Sequence, residues 1–348
     1  MTGQTRVAVI GCGFFAQNHL HGWRDLRAQG AQLVGVCDAS ADRAGAASKV
    51  HDVPAFTLIE HMLDTTKPDL VDVITRMDSH QAICELLARR GIAAIVQKPL
   101  APKWETCVAM ATMAKAHNSF LAVHENFRFQ APMLKVKELL DNGVVGNINW
   151  ARLAFRTGFD VFGNQPYLYD EDRLVILDVG IHVLDLARVF LGEVERLSCE
   201  TQQRNPRVRA DDTATMLLRH VSGAVSQVEC TYMAKRHPDL FPHTRLEIEG
   251  TKGSLILNAD DEIILSDGAS NTHIPVDNAL SDWMERPWHV VQRSVFETSR
   301  QILKSFREGK QAATDIADNL KTYALVEAAY AAASDHAAHV PEAWREHS

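Results

Sequence analysis

The sequence has 348 residues, enough for two domains that each bury their own core. Its composition, with 46% hydrophobic and 23% charged residues, is that of an ordinary globular protein. A formal net charge of -8 and the lack of a basic run argue against nucleic acid and anionic membranes as partners.

Six cysteines are scattered along the chain without a CxxC pair, at positions 12, 37, 84, 107, 199 and 230. This pattern is typical of free thiols in a reducing compartment, not of a disulfide framework or a zinc site. No apolar run in the sequence reaches the length of a membrane span. The apolar start Val7–Ala16 is broken by two glycines and lacks a cleavage site, so it does not match a signal peptide. We therefore expect a cytoplasmic protein.

The first motif is a glycine-rich turn after a predicted strand. Arg6–Ile10 is apolar and runs into Gly11-x-Gly13-x-x-Ala16, which opens an amphipathic helix. This is the context that a dinucleotide-binding fingerprint requires: Gly11 permits the turn, Gly13 lets the backbone approach a pyrophosphate, and Ala16 keeps the helix close. The residues of this turn predicted to bind the cofactor are Gly11, Gly13, Phe14 and Phe15.

The second predicted strand, Gln32–Cys37, ends at Asp38. An acidic residue at this place accepts hydrogen bonds from the adenosine ribose and repels a 2′-phosphate. Because neither Ala39 nor Ser40 supplies an arginine, Asp38 predicts NAD rather than NADP. The alternative is that Asp38 only begins the turn into the helix that Ser40 opens.

Strands and helices continue to alternate up to residue 123. The predicted strands are Leu70–Thr75, Ile92–Val96 and Phe120–Val123, and the predicted helices are Ser79–Arg90 and Lys103–His117. Such alternation is typical of a doubly wound parallel sheet, in which ligands bind beyond the carboxyl ends of the strands. The predicted cofactor-binding set is completed by Thr75, His80, Gln97 and Lys98. Lys98 follows an apolar strand and precedes a proline, which favours contact with a ligand over an ordinary solvated lysine.

After Asn126 the pattern changes to short strands separated by turn signals. A helix over Pro132–Leu140 is followed by seven predicted strands: Asn147–Arg156, Glu195–Gln202, Thr213–Arg219, Ala224–Tyr232, Thr244–Glu249, Ser254–Asn258 and Glu262–Leu265. This series predicts an α+β domain, so we divide the chain into residues 1–123 and 124–348. Helices are predicted again from Trp288 to about Arg307 and over Ala312–His336. Some strands are apolar on both faces, which predicts packing on a second subunit.

The run Leu174–Leu191 is strongly apolar and helical in pattern, but Asp178, His182 and Asp185 interrupt it. Their spacings of four and three residues put the three side chains on one face of an α-helix. Buried polar groups cost free energy unless they are paired, so this stripe either faces a ligand or is satisfied internally. The local alternative is that Asp178 caps the helix and His182 is a core histidine. A metal site lacks a third ligand at a convincing spacing, and none is predicted.

The connection Thr157–Arg173 mixes aromatic and acidic side chains. Long loops are often functional, and these side chains would suit the C–H faces and the hydroxyls of a polyhydroxylated ligand. The alternative is a surface loop whose aromatic rings pack down on the protein.

Five motifs resemble, in order and spacing, those of the Gfo/Idh/MocA family, the glucose–fructose oxidoreductase and inositol dehydrogenase group. They are GCGFFA at 11–16, Asp38, QKP at 97–99, NFRF at 126–129 and DVGIH at 178–182. The resemblance implies an N-terminal Rossmann domain, a C-terminal domain with a large, mostly antiparallel open sheet, and nicotinamide-dependent chemistry on sugars or cyclitols. Within the family it points to bacterial enzymes that oxidise small aldoses, such as the branched pentose D-apiose, at C1 to the lactone. The chain departs from the pattern at Gln97, where members usually carry glutamate, and at Arg76, where many carry proline.

Carried over from the family, Lys98 and His182 flank the reacting hydroxyl. Histidine ordinarily titrates near neutral pH, so His182 is predicted to accept the hydroxyl proton while Lys98 polarises the oxygen. Asp178 is predicted to bind a neighbouring hydroxyl or to steady His182, and Asp185 to be a buried structural partner. The predicted substrate-binding residues are Asn126, Arg128, Arg156, Asp178 and His182. For Arg128 the alternative is a structural ion pair.

Three other functions stay open. They are an inositol or polyol dehydrogenase on the same site, an NAD-dependent glycosidase, and a non-catalytic NAD-binding regulator. The presence of Lys98 and His182 argues against the regulator. As partners we expect a small sugar or polyol and a second copy of the chain, in a homodimer or homotetramer formed through the C-terminal sheet.

Overall fold

The computed structural model describes residues 3–239, 241–276 and 280–342. The chain divides into two compact units, Met1–Asn126 with Val295–Leu320, and Phe127–Ser294 with Lys321–Ser348. The first segment of the first unit ends at residue 126, beyond the predicted division at 123/124. A later segment, Val295–Leu320, belongs to the same unit. That segment belongs to it because Ile302 and Leu303 lie in the core of its sheet.

The first unit is built on a six-stranded parallel sheet. Its strands are β1 (Thr5–Ile10), β2 (Ala31–Cys37), β3 (Ala55–Phe56), β4 (Leu70–Val73), β5 (Ala93–Gln97) and β6 (Leu121–His124). Their order is β3-β2-β1-β4-β5-β6, and every neighbouring pair is parallel. This is the strand order of dinucleotide-binding Rossmann folds, which confirms the predicted fold of the first domain. Strands β4, β5 and β6 are wholly buried, as strands covered on both faces must be.

Helices connect these strands. They are α1 (Ala16–Asp25), α2 (Ala41–His51), α3 (Ile59–Thr66), α4 (His80–Arg89) and α5 (Trp104–Ala116). Leu20 and Trp23 of α1 pack into the same core as the central strands. The sequence patterns did not predict β3 or α3, because a two-residue strand and an eight-residue helix carry too little periodicity.

The second unit contains an eight-stranded sheet. Its strands are β7 (Ile148–Arg156), β8 (Val194–Gln202), β9 (Thr213–His220), β10 (Val225–Thr231), β11 (Arg245–Gly250), β12 (Gly253–Leu257), β13 (Glu262–Ser266) and β14 (Asn271–Pro275). Their order is β14-β13-β12-β11-β7-β10-β9-β8, antiparallel except for the pair of β7 and β10. The predicted mostly antiparallel sheet is confirmed, with β14 as one strand more than expected.

Helices α6 (Ala131–Asp141) and α7 (Ile181–Leu191) belong to the second unit. Helices α8 (His289–Glu308) and α9 (Ile316–Asp335) each have residues in both units. Helix α7 packs on β7 and β10, so one face of the sheet is covered. From Ala214 to His220, strand β9 alternates strictly between buried and exposed residues. Leu217 lies on the exposed face of the strand and is 54% exposed.

Among the described residues, no helix is both long and apolar enough to cross a membrane. All six cysteines are buried, and none of them forms a disulfide bond. Within the same described ranges, no cluster of three or more histidine, cysteine, aspartate or glutamate side chains is arranged to hold a metal ion.

Candidate active site

The glycine-rich turn leaves β1 in a conformation that requires glycine at its first position. Gly11 has φ +97°, and a Cβ added there would lie 2.4 Å from the Ile74 carbonyl oxygen. Its N–H donates to the Cys37 carbonyl at 2.8 Å. By contrast, no described atom lies within 4 Å of a Cβ added at Gly13, so that backbone faces open space. The turn therefore has the close packing and the open approach that a pyrophosphate cradle needs.

Helix α1 begins directly after this turn. Phe15, at its N-cap position, has no side-chain acceptor, and no acidic residue lies in its first turn. The first N–H groups and the positive end of the helix dipole are therefore suited to an anion. Phe14 lies beside them with 57% of its surface exposed. These features fit the pyrophosphate of a dinucleotide.

Asp38 follows β2 and is held by several donors. Its Oδ2 accepts from the Cys12 N–H at 2.8 Å, and its Oδ1 accepts from the Ser40 N–H and from Arg43 Nη2, each at 2.8 Å. Burial acts to raise the pKa of Asp38, but these hydrogen bonds outweigh it and hold the pKa below its ordinary value. The carboxylate can accept hydrogen bonds from a ribose. Neither position 39 nor position 40 holds an arginine, but Arg43 reaches back to Asp38 from the first turn of α2. This contact was not predicted.

Thr75 and His80 lie after β4, where the sequence predicts cofactor contacts. Thr75 Oγ1 accepts from the Ser79 hydroxyl at 2.7 Å. His80 is buried, and its two ring nitrogens lie 3.1 Å from the carbonyl oxygens of Leu100 and Thr75. Burial lowers the pKa of His80, and a neutral ring donates to one of these two carbonyl oxygens. The predicted contact of His80 with the cofactor stays a prediction.

Gln97 and Lys98 lie at the carboxyl end of β5. Gln97 is 8% exposed, its Oε1 accepts from the Lys98 N–H at 2.8 Å, and its Nε2 lies 3.0 Å from His19 Nε2. Both ends of the Gln97 amide have partners inside the first unit, and its hydrogen bond to a ribose hydroxyl stays a prediction. Lys98 is partly buried there. Asn126, the last residue of the first segment of this unit, is buried at 3% exposure.

In the second unit, the apolar run that was predicted as one α-helix begins with a π-helical turn over Ile176–Gly180, followed by α7. Asp211 accepts from the N–H groups of Leu174 and Ile176 at 3.1 and 3.2 Å. The capping role that the sequence offered to Asp178 is thus performed by Asp211, from a distant part of the chain.

Asp178 is half-buried within this π turn, while its neighbours are buried. Its Oδ2 accepts from the Tyr232 hydroxyl at 2.5 Å. Burial and the nearby Asp178 carboxylate raise the pKa of Tyr232 well above its ordinary value, so the hydroxyl keeps its proton and donates it in this bond. Sequence reasoning missed Tyr232, although its place at the end of β10 would have marked it once the strand pairing was known.

His182 is the second residue of α7 and is 3% exposed. Its ring stacks on Phe127, with ring centroids 3.9 Å apart and planes 1° from parallel. Phe127 in turn lies against Phe155 at 5.9 Å, and Phe155 against Phe241 at 6.3 Å. The imidazole is therefore held flat at one end of a row of aromatic rings.

Arg128 and Asp185 form a buried ion pair. Arg128 Nε donates to Asp185 Oδ2 at 2.7 Å, and its Nη2 donates to the other carboxylate oxygen. Thr322 donates to the same carboxylate at 2.8 Å, and Arg188 lies 3.8 Å away. The structural alternative for Arg128 is therefore favoured over substrate binding, and Asp185 has the buried partner that the sequence predicts.

Arg156 lies on the opposite face of β7 from Phe155. Its Nη1 donates to Glu229 Oε2 at 2.9 Å, and Arg152 donates to the other oxygen of Glu229 at 2.7 Å. The predicted substrate contact of Arg156 does not agree with this placement, because Phe155 points toward the aromatic row that ends at His182 and Arg156 points away.

The aromatic residues of the 157–173 connection pack on other rings of the second unit. Phe159 stacks on Phe241 with centroids 4.3 Å apart, and Trp288 lies edge-on to Phe241 at 4.8 Å. Phe162 stacks on Tyr169 at 4.4 Å. These contacts favour the packing alternative for this loop and give Trp288 a place in the same aromatic cluster.

Models of two domains match most of the chain. Residues 5–125 match the oxidoreductase family with an NAD-binding Rossmann fold, and residues 133–256 match the GFO/IDH/MocA C-terminal domain. The first match identifies the cofactor as NAD. The geometry of the glycine-rich turn, of the α1 N-terminus and of Asp38 fits this cofactor.

Relatives of known activity cover nearly the whole chain. The D-apiose dehydrogenase of Paraburkholderia graminis is 41% identical over 94% of this chain and 87% of its own length. The D-apiose dehydrogenase of Rhizobium rhizogenes is 38% identical over 95% of this chain and 96% of its own. A crystal structure of an oxidoreductase from Agrobacterium radiobacter, in complex with NAD+, L-tartaric acid and magnesium, superposes with a TM-score of 0.95 at 37% identity and covers 98% of this chain and 99% of its own.

Proposed function

Because the chain belongs to the Gfo/Idh/MocA family of NAD-binding oxidoreductases, we propose that it oxidises a small aldose at C1 to the lactone. D-apiose is the proposed substrate. The observation that carries this choice is the similarity of nearly the whole chain to two D-apiose dehydrogenases. The reaction converts the aldose and NAD+ to the lactone, NADH and a proton.

The bound NAD+ supplies the hydride acceptor, at C4 of its nicotinamide ring. His182 accepts the proton of the C1 hydroxyl, since an imidazole is a suitable base near neutral pH. The stacked Phe127 ring supports this role because it restricts His182 to one orientation. Lys98 donates a hydrogen bond to the same oxygen. Asp178, held by Tyr232, binds a neighbouring hydroxyl.

A sugar panel with NAD+ tests this function, with NADH formation followed by absorbance. We expect D-apiose to give the highest kcat/KM and to yield a lactone detectable by NMR. A higher kcat/KM for myo-inositol would identify a polyol dehydrogenase instead. Release of an aglycone from glycosides without net NADH would identify a glycosidase, and NADH binding without any turnover would identify a regulator.

Substitutions test the assigned roles. His182→Ala and Lys98→Met should each lower kcat by about a hundredfold to ten-thousandfold. The matched control is His336→Ala, because the His336 side chain is 73% exposed and lies in the last residues of the described chain. Unchanged turnover in His182→Ala would overturn the proposed mechanism.

We also propose that two copies pair through the face of the eight-stranded sheet opposite α7. One cross-strand row on that face consists of Ser198, Leu217, Gln227, Arg152, Glu247, Ile256 and Ile264. Leu217 and Ile256 are 54% and 37% exposed, so the row offers apolar surface at both ends with charges between. Light scattering should show a dimer or tetramer that Leu217→Arg disrupts. Val50→Glu, at a 62% exposed residue of the first unit, is the control and should leave the assembly intact.

We propose the cytoplasm as the location of the protein. Six buried cysteines that form no disulfide bond suit a reducing compartment. Fractionation of cells that produce the chain should recover it with the cytoplasmic fraction, and recovery from an oxidising compartment would contradict the proposal.

A further inference from the structure

A fully buried chain of polar groups in the first unit ends at the Lys98 peptide. His19 Nδ1 lies 2.8 Å from Asp72 Oδ2, and His19 Nε2 lies 3.0 Å from Gln97 Nε2. Gln97 Oε1 then accepts from the Lys98 N–H at 2.8 Å. His19 and Asp72 are both completely buried. The chain therefore links strands β4 and β5 through helix α1.

The chemistry of these groups determines which atoms carry protons. Because the Lys98 N–H requires an acceptor, the Gln97 side chain must present Oε1 to it and its NH₂ group to His19. An NH₂ group only donates, so His19 Nε2 must be unprotonated. Asp72 is an acceptor when ionised, so His19 Nδ1 carries the hydrogen. His19 is thereby restricted to the neutral Nδ1–H tautomer.

Among the described residues, the titratable groups that lie against His19 are Asp72 of β4 and His124 of β6, whose ring centroid is 4.2 Å away. Burial lowers the pKa of His124 to about 3, so it is uncharged at neutral pH. Burial acts to raise the pKa of Asp72, but its contacts with His19 and Trp23 outweigh this and hold it below the ordinary value. The Trp23 indole donates to Asp72 at 2.7 Å.

We propose that His19 is a positioning residue for Lys98, because it holds the Gln97 amide in the orientation that accepts from the Lys98 N–H. This inference rests on the proposed role of Lys98 in the reaction. A protonated His19 would place an N–H donor against the NH₂ group of Gln97, which would lose one buried hydrogen bond and leave two donors unsatisfied. The Nδ1–H tautomer of His19 therefore keeps the Gln97 amide, and the Lys98 peptide that it holds, in one arrangement.

Gln97→Glu and Gln97→Met separate the two functions of this side chain. Glutamate keeps an oxygen acceptor for the Lys98 N–H but loses the NH₂ donor to His19. Methionine has neither the acceptor nor the donor. Trp23→Phe is the control, because it removes a donor to Asp72 without touching Gln97.

Nitrogen NMR of the full-length protein with labelled histidine tests the tautomer without any substrate. We expect a protonated Nδ1 and a bare Nε2 for His19. The signal is assigned by its loss in His19→Asn. A protonated Nε2 would overturn the proposal.

Kinetics test the connection to Lys98. Gln97→Met should lower kcat about tenfold at every pH, with the dissociation constant of NADH changed less than about threefold. Gln97→Glu keeps the acceptor for Lys98 and should keep kcat within about threefold, whereas Trp23→Phe should lower only Tm. Equal losses of kcat in the two Gln97 variants would overturn the proposal. If Lys98→Met left turnover intact, the proposed function would be wrong. The NMR experiment tests the His19 tautomer independently of that outcome.

Discussion

The buried Arg128–Asp185 ion pair allows a sharp test of whether Arg128 is a structural or a substrate-binding residue. The Arg128 side chain is 10% exposed and that of Asp185 is fully buried. Removing one partner of a buried pair costs about 3–5 kcal/mol, since the remaining charge stays desolvated. In Arg128→Met the carboxylate keeps Thr322 at 2.8 Å and Arg188 at 3.8 Å, so we expect the lower end, about 3 kcal/mol. That corresponds to a fall in Tm of roughly 6–12 °C.

Scanning calorimetry and urea unfolding measure this loss, and sugar kinetics are recorded on the folded variant. We expect KM for the sugar to stay within about threefold, and Arg128→Met with Asp185→Leu to regain more than half of the lost stability. Arg209→Met is the control, because its ion pair with Asp172 is solvent-exposed and contributes about 0–1 kcal/mol. An unchanged Tm with a tenfold higher KM would refute the reasoning and make Arg128 a substrate-binding residue.

Three further predictions concern the cofactor turn, the π turn and a buried histidine. Gly11→Ala should weaken NADH binding at least about tenfold in a fluorescence titration, because its Cβ would meet the Ile74 carbonyl at 2.4 Å; unchanged binding would contradict the assigned cradle. Tyr232→Phe should lower kcat about tenfold without changing NADH affinity, since it removes the donor to Asp178; a change in NADH affinity alone would place Tyr232 elsewhere. Burial lowers the pKa of His124 to about 3, so the unfolded chain takes up a proton below about pH 6.5 that the folded chain does not. Stability should therefore fall toward acid by up to about 1.4 kcal/mol per pH unit, and His124→Gln should remove that part of the slope in urea unfolding.

The Rossmann fold was predictable because its signals are local. Apolar runs such as those of β4 and β5 are buried on both faces, and turn residues separate them from amphipathic helices. The glycine motif was predictable for the same reason: Gly11 adopts positive φ, which other residues rarely do. The antiparallel sheet followed from the number of short strands and from the turns between them.

The details of the site depend on contacts between distant residues, and those were not predictable from spacing. Asp211 caps a helical run that begins more than thirty positions before it. Gln97 is predicted to face ribose because strand ends face ligands, but its contact with His19, a residue of α1, was not predicted. Alternation along a strand predicts that Arg156 and Phe155 lie on opposite faces of the sheet. It does not predict which face meets helices, because that depends on the packing of α7.

The π turn over Ile176–Gly180 departs from α geometry immediately before His182. Such turns are rare and occur frequently at functional sites, because they persist only where neighbouring contacts outweigh their cost. Here Asp211 holds the N–H groups at the start of the run, and Tyr232 holds Asp178 within the turn. A regular α-helix would lack the extra residue of this turn and would rotate Asp178 by about 100° relative to His182. The bond from Tyr232 therefore depends on the π turn, and the proposed pairing of a base with a hydroxyl-binding carboxylate depends on backbone geometry as well as on the two side chains.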